Sequence, residues 1–232
     1  MTNESIYESG EYLENNPDWG ATDAPVKARW IAEILMRNKI SPASIVDIGC
    51  GAGEIVIELA GRFPNTKIAG YDISPQSHAI AAPKSKAGVS FHQANYLEVE
   101  APIADVVMAI DVFEHVDDYL GFIRAMAPKG AWKVFHIPLD LSVQGMIRGG
   151  ALMGARRKLG HLHHFYKETA LATVRDCGLE VVDWNYTFGT EELPDRKFKT
   201  KLGNLPRKLL RAASVDLSVR MMGGASMMVL AR

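Results

Sequence analysis

The segment Val46-Asp47-Ile48-Gly49-Cys50-Gly51-Ala52-Gly53-Glu54 constrains this chain more than any other. An apolar run ends in an acid, three glycines follow at alternate positions, and apolar residues then recur at Ile55, Val56, Leu59 and Ala60 with helical spacing. A buried strand passing through a tight glycine turn into an amphipathic helix is the unit from which doubly wound α/β sheets build nucleotide-type sites. The spacing narrows the ligand. A dinucleotide fingerprint, G-x-G-x-x-G, needs its third glycine where Glu54 stands, and here that glycine comes one residue early, at Gly53. Asp47 and Glu54 would repel a phosphate, so the turn suits a neutral or cationic ligand. The absence of G-x-x-x-x-G-K-[ST] removes an NTP-binding P-loop.

With Gly70-Tyr71-Asp72-Ile73-Ser74 following one βα unit later, this D-x-G-x-G-x-G turn resembles that of the class I S-adenosylmethionine (AdoMet) dependent methyltransferases. The resemblance implies a three-layer α/β fold: a doubly wound, Rossmann-like, mostly parallel seven-stranded sheet with an antiparallel final strand. It also implies AdoMet as cofactor, framed by Asp47, Gly49, Gly51 and Gly53. Asp72 would accept the ribose hydroxyls, with Ile73 beside it. Asn95 and Tyr96 would lie at the adenine, and Asp111 and Val112 at the methionine end. The chemistry of AdoMet agrees, since its ammonium and sulfonium are cationic and Asp47 can take the ammonium.

At 232 residues, 47% of them hydrophobic, the chain can bury a substantial single core. A formal net charge of -1 argues against a nucleic-acid partner. Two cysteines, Cys50 and Cys177, form no C-x-x-C or disulfide framework, which suits a reducing cytoplasm. The polar, acidic start from Met1 to Tyr12 does not read as a signal peptide, and no apolar run reaches the length of a membrane span, which leaves peripheral membrane contact open. Oligomeric state has no signature.

Residues 1–40 read as an irregular segment leading into a helix near Val26 to Asn38. In the family such a segment covers the cofactor, making Tyr12, Trp19 and Lys27 candidates for that lid; packing against the core is the alternative. Residues 41–232 then form the methyltransferase domain, with cap insertions at about 141–160 and 189–222. Ala104 to Ile110 is a central strand buried on both faces. It delivers Asp111-Val112-Phe113-Glu114-His115-Val116, which resembles the loop of small-molecule methyltransferases of the ubiquinone pathway and not the [DNS]-P-P-[YFW] of base-modifying enzymes.

Moving a methyl group to a hydroxyl or amine requires removal of a proton, most often by histidine. His115 beyond strand four and His164 in Gly160-His161-Leu162-His163-His164 are the candidate bases. Asp111-x-x-Glu114-His115 is also similar to the E-x-x-E-H with which some ubiquinone-pathway O-methyltransferases hold a divalent ion, although the first acid is shorter; a metal is possible but not favoured.

Arg148, Arg156, Arg157 and Lys158 stand among Met and Leu without an acid between Leu141 and Gly160, and a second basic stretch runs from Arg196 to Arg211. Both point to an anionic or lipid-linked acceptor, such as a sugar or natural-product intermediate, methylated on oxygen or, second, nitrogen. A solvated cap helix is the alternative reading of the first stretch. The rival functions are a non-catalytic AdoMet-binding or scaffold protein and an aminopropyl transferase using decarboxylated AdoMet.

Overall fold

Seven apolar runs pair into one sheet in the order β3-β2-β1-β4-β5-β7-β6. The computed structural model describes residues 21–189 and 205–232. Its strands are β1 (Ser44–Ile48), β2 (Lys67–Asp72), β3 (Val89–Gln93), β4 (Ala104–Ile110), β5 (Gly130–Pro138), β6 (Val181–Thr187) and β7 (Ser226–Ala231). The first five are parallel; β7 runs antiparallel to both β5 and β6. The expected sheet, with its antiparallel last strand, is thus present.

Two helical layers cover it. On one face lie α1 (Ala24–Arg37), α2 (Glu54–Arg62) and α3 (Pro75–Ala81); on the other α4 (Tyr119–Met126) and α7 (Lys167–Asp176). The alternation of β4 explains the division. Val106, Met108 and Ile110 pack with Ile31, Leu35, Val56 and Leu59, whereas Val107 and Ala109 pack with Ile123, Met126 and Val174. A strand needed by both cores must be apolar throughout.

Helix α1 begins with Pro25 in its first turn and buries Ala28, Ile31, Ile34 and Leu35. It is therefore a member of the first core layer, tied at its far end to β6 by Arg37 and Asn38, which both reach Asp183. Tyr12 and Trp19 lie outside the described residues.

The excursion after β5 forms α5 (Val143–Arg148) and α6 (Ala151–Leu159), and that before β7 ends in α8 (Leu205–Ala213) and α9 (Val215–Met222). Ser142 caps α5, and Gly149 and Gly160 take left-handed backbone at the ends of the two cap helices. Of the second basic stretch, Arg196, Lys197, Lys199 and Lys201 fall outside the described residues.

Strand β1 lies between β2 and β4, and the chain winds outward from it in both directions. This is the topological switch point, where open α/β sheets bind ligands at the carboxyl ends of their strands. Gly49 and Asp111 stand at those ends.

Candidate active site

The glycine turn is locked to the end of β2: the amides of Gly49 and Cys50 both donate to the Tyr71 carbonyl, at 2.8 and 3.1 Å. Gly49, Gly51 and Gly53 all have positive φ. A Cβ at Gly49 would lie 2.8 Å from the Val112 side chain, and one at Gly53 would lie 2.4 Å from the Phe91 ring. Gly49 thus lets β1 and β4 deliver their loops side by side, and Gly53 lets α2 start against β3.

Asp72 holds the turn from the other side. Its Oδ2 accepts the Gly51 amide at 2.9 Å and its Oδ1 the Ser74 amide at 2.8 Å. Burial raises its pKa against these two hydrogen bonds and a further one from the Ser77 side chain. Asp47 is 1% exposed and its Oδ1 has no hydrogen-bond partner. Burial first, then the nearby Asp72, push its carboxyl well above the usual range. A buried carboxylate oxygen without a donor, beside a glycine cradle, fits a cationic ligand group such as an ammonium.

Ile73 is 40% exposed just past Asp72. Asn95 caps the short 3-10 turn Tyr96–Glu98: its Oδ1 accepts the Leu97 amide, and its Nδ2 donates to Glu98. Tyr96 is buried against Tyr71, their centroids 4.7 Å apart.

Asp111, expected at the methionine end of the cofactor, ties β4 to α1 and β5. Its backbone is left-handed (φ 55°), its Oδ2 pairs with Lys27 Nζ at 2.8 Å, and its Oδ1 meets His136 Nδ1 at 2.6 Å. Burial pushes this carboxyl up, but His136 and Lys27 outweigh it and hold it far below the usual range. His136 reaches on to Thr187 and stacks on Trp30.

A cavity of about 620 Å³ opens here, lined among others by Lys27, Asp111, His115, Asp140, Arg148 and His161. Asp140 Oδ2 holds His161 Nδ1 at 2.6 Å and His164 Nδ1 at 3.1 Å. These two histidines outweigh the effect of burial and keep the Asp140 carboxyl below its usual range. His163 faces elsewhere, with Nε2 on the Val116 carbonyl. His115 also lines the cavity; burial, then His161, lower its pKa to about 4, so the ring is neutral.

Glu114 points inward, fully buried, with no hydrogen-bond partner on either carboxylate oxygen. Burial and then the Asp111 charge raise its pKa well above the usual range. Donor atoms of Glu114, His115 and His161 lie within 4.8 Å of one another, as do those of Asp140, His161 and His164. Both candidate metal clusters of the described residues thus include His161, and Asp111 turns instead to Lys27 and His136.

Sequence reasoning missed His136 and Asp140. The signal for Asp140 was its position: Pro138-Leu139-Asp140 ends β5 as Asp111 ends β4. His136 carried none, being with Lys133 one of two polar residues inside an otherwise apolar strand.

The strand order, the glycine turn and the acid ending β2 define the class I AdoMet-dependent methyltransferase architecture. Residues 22–183 match the family described as "Methyltransferase domain", and the chain belongs to that family. It is 30% identical over 186 residues to the ubiquinone biosynthesis O-methyltransferase of Methylobacterium nodulans, covering 68% of this chain and 72% of that protein. It is 32% identical over 127 residues to the trans-aconitate 2-methyltransferase of the same organism, covering 50% of this chain and 49% of that protein. The chain thus spans about half the length of its trans-aconitate relatives. Among solved structures, the magnesium protoporphyrin IX methyltransferase of Synechocystis PCC 6803 with bound SAM superposes with a TM-score of 0.64. That match covers 100% of this chain and 97% of the other at 12% identity, a likeness of fold alone. Among the described residues, no helix is long and apolar enough to cross a membrane.

Proposed function

We propose that this chain transfers the methyl group of AdoMet to an oxygen, or second a nitrogen, of a small molecule seated in the cavity. The observation that supports this most is adjacency: the turn carrying Asp47 abuts the loop carrying Asp111 through the Gly49–Val112 contact, and Asp111 lines the cavity. AdoMet, when bound, supplies a methyl group already activated by its sulfonium. Asp47 would hold the ammonium, Asp72 and Ile73 the ribose, Asn95 and Tyr96 the adenine end, with the Gly49, Gly51 and Gly53 backbone and Val112 alongside.

Because the donor is activated, alignment of the acceptor accounts for most of the rate. Removal of the acceptor's proton falls to His161 in this reading. Asp140 fixes its Nδ1 as the donor, which leaves Nε2 as the basic atom of a cavity-lining ring. His115, neutral and hard to protonate, shapes the same wall and is the weaker base. His164 shares the Asp140 oxygen and steadies it. A divalent cation would be held by Glu114, His115 and His161, where it would supply charge that favours an ionised acceptor.

Lys27 is paired with Asp111, and Arg148, which also lines the cavity, favours an acceptor with an anionic group. Trans-aconitate, in the name of one set of relatives, is such an anion and belongs in the first acceptor panel with phosphorylated sugars, phenols and lipid-linked intermediates. The two cysteines are free and buried, in keeping with a reducing compartment such as the cytoplasm.

Calorimetric titration with AdoMet and its demethylated product tests the donor site. Micromolar binding is expected, weakened in Asp72→Ala and also in Asp72→Asn, which keeps the side chain's size. Methyl transfer to the panel then tests turnover. Absence of AdoMet binding by the wild type would overturn the reading. Preference for decarboxylated AdoMet would point to aminopropyl transfer, and binding without transfer to a scaffold.

A further inference from the structure

We propose that Lys84 is a positioning residue of the donor site, acting on the donor's amino acid end through the carbonyl of Ala52. Lys84 ends the short 3-10 turn Ala82–Lys84 that follows α3, a full βα unit away from the glycine turn in sequence. Its ammonium donates to the Ala52 carbonyl at 2.7 Å and pairs with Glu54 at 2.5 Å. One cation thus grips both neighbours of Gly53, the left-handed residue at which the turn becomes α2. Glu54 stands in the sequence as an added negative charge on the turn, and the fold balances it.

The backbone groups of the turn show what this grip controls. The amides of Gly49 and Cys50 donate to the Tyr71 carbonyl, that of Gly51 to Asp72 and that of Gly53 to the Cys50 carbonyl. Of the residues from Gly49 to Gly53, Ala52 is the one whose amide has no acceptor among the described residues. Ala52 is also 5% exposed, and an amide so placed normally has an acceptor. In the donor reading above, on which this inference rests, Asp47 takes the ammonium of AdoMet. The carboxylate carried by the same carbon is the acceptor that the Ala52 amide lacks. Lys84 holds the peptide that leaves Ala52 and so sets the direction of that N–H. A bond from an ammonium to a carbonyl is charge-assisted, and its loss would leave the carbonyl of a buried residue without a partner.

Calorimetric titration of the full chain with S-adenosylhomocysteine and 5′-methylthioadenosine tests the proposal, because the second ligand keeps the adenosine and lacks the amino acid. Methylthioadenosine is read by competition, so that weak binding is still measured. Lys84→Met should weaken S-adenosylhomocysteine by about tenfold and methylthioadenosine by less than about twofold. Glu54→Gln, which leaves Lys84 on the Ala52 carbonyl, should keep both affinities within about twofold of the wild type. Melting temperatures report any loss of stability separately. Equal weakening of both ligands in Lys84→Met would overturn the proposal, because the whole turn would then have moved. Unchanged affinities with a lowered melting temperature would overturn it as well, leaving Lys84 a tie between α3 and α2. A loss in Glu54→Gln as large as that in Lys84→Met would assign the effect to charge and not to the carbonyl. Wild-type protein that binds neither ligand would defeat the AdoMet reading itself, an outcome distinct from all of these.

Discussion

Lys27 on α1 and Asp111 at the end of β4 form an ion pair of 2.8 Å that joins the first described helix to the loop beneath the cavity. Both groups are largely shielded, and the pair sits on a residue in left-handed backbone, a conformation that a non-glycine residue keeps only when its surroundings hold it.

Lys27→Met keeps much of the stem packing and removes the charge, so it should cost about 1–3 kcal/mol at pH 7. The pH dependence follows from both partners. The Asp111 pKa is lowered, so its contribution is present above the unfolded value near 3.9 and fades as pH falls through the folded one. The Lys27 pKa is raised, burial being outweighed by Asp111, so its contribution is present below about 10.4 and fades as pH rises through the folded value. Urea denaturation should show the difference between wild type and variant at pH 7 and nearly the same difference at pH 4, because Asp111 stays ionised well below its usual range. Equal stability at pH 7 would mean that the pair does not hold α1.

Glu114→Gln should stabilise the protein at pH 8, by about 1–3 kcal/mol, and hardly at all at pH 4. Folding raises the pKa of this carboxyl, so the native state binds a proton that the unfolded state has released above about pH 4.3. Stability is therefore lost as pH rises, and glutamine removes that loss. Thermal melts at the two pH values decide it. Destabilisation at pH 8 would show that Glu114 is charged in the fold and compensated by a cation.

Gly53→Ala should lower stability by about 2 kcal/mol or more, because the new methyl group meets the Phe91 ring and the backbone there has φ 82°. Phe91→Leu in the same chain should recover part of the loss in a denaturant titration. No recovery would assign the whole effect to backbone conformation.

His161→Gln should reduce kcat by about 10²–10⁴-fold once an acceptor is in hand, with AdoMet affinity unchanged. Asp140→Asn should act in the same direction through the orientation of that ring. EDTA should leave the wild-type rate unaltered. Inhibition by EDTA that magnesium reverses would make His161 a ligand instead of the base.

Local order along the chain was legible in the sequence where one requirement governed each residue. The run Ala104 to Ile110 is apolar because both faces are buried, and the structure gives β4 those bounds. Glu54 to Arg62 was equally plain, opened by a glycine turn and closed before Pro64, and it is α2. The donor turn was readable because Gly49, Gly51 and Gly53 each answer to a local backbone demand that no other residue type meets cheaply. The acceptor side resisted. His115, His161, His163 and His164 carry equal chemistry in the sequence, and what separates them is which neighbour each ring finds.

The sequence by itself determined the glycine turn, the apolar central strand and the acids beside them, since strand periodicity, glycine conformation and carboxylate charge act over a few adjacent residues, and the seven-stranded sheet followed from the family resemblance those residues carry. Only the tertiary structure decided that Asp111 turns to Lys27 and His136, that Asp140 holds His161 and that Glu114 is buried without a hydrogen-bond partner. Those facts depend on side chains from strands and helices far apart in the chain. Burial and pairing, which set the charge of each group, exist only once the layers have packed.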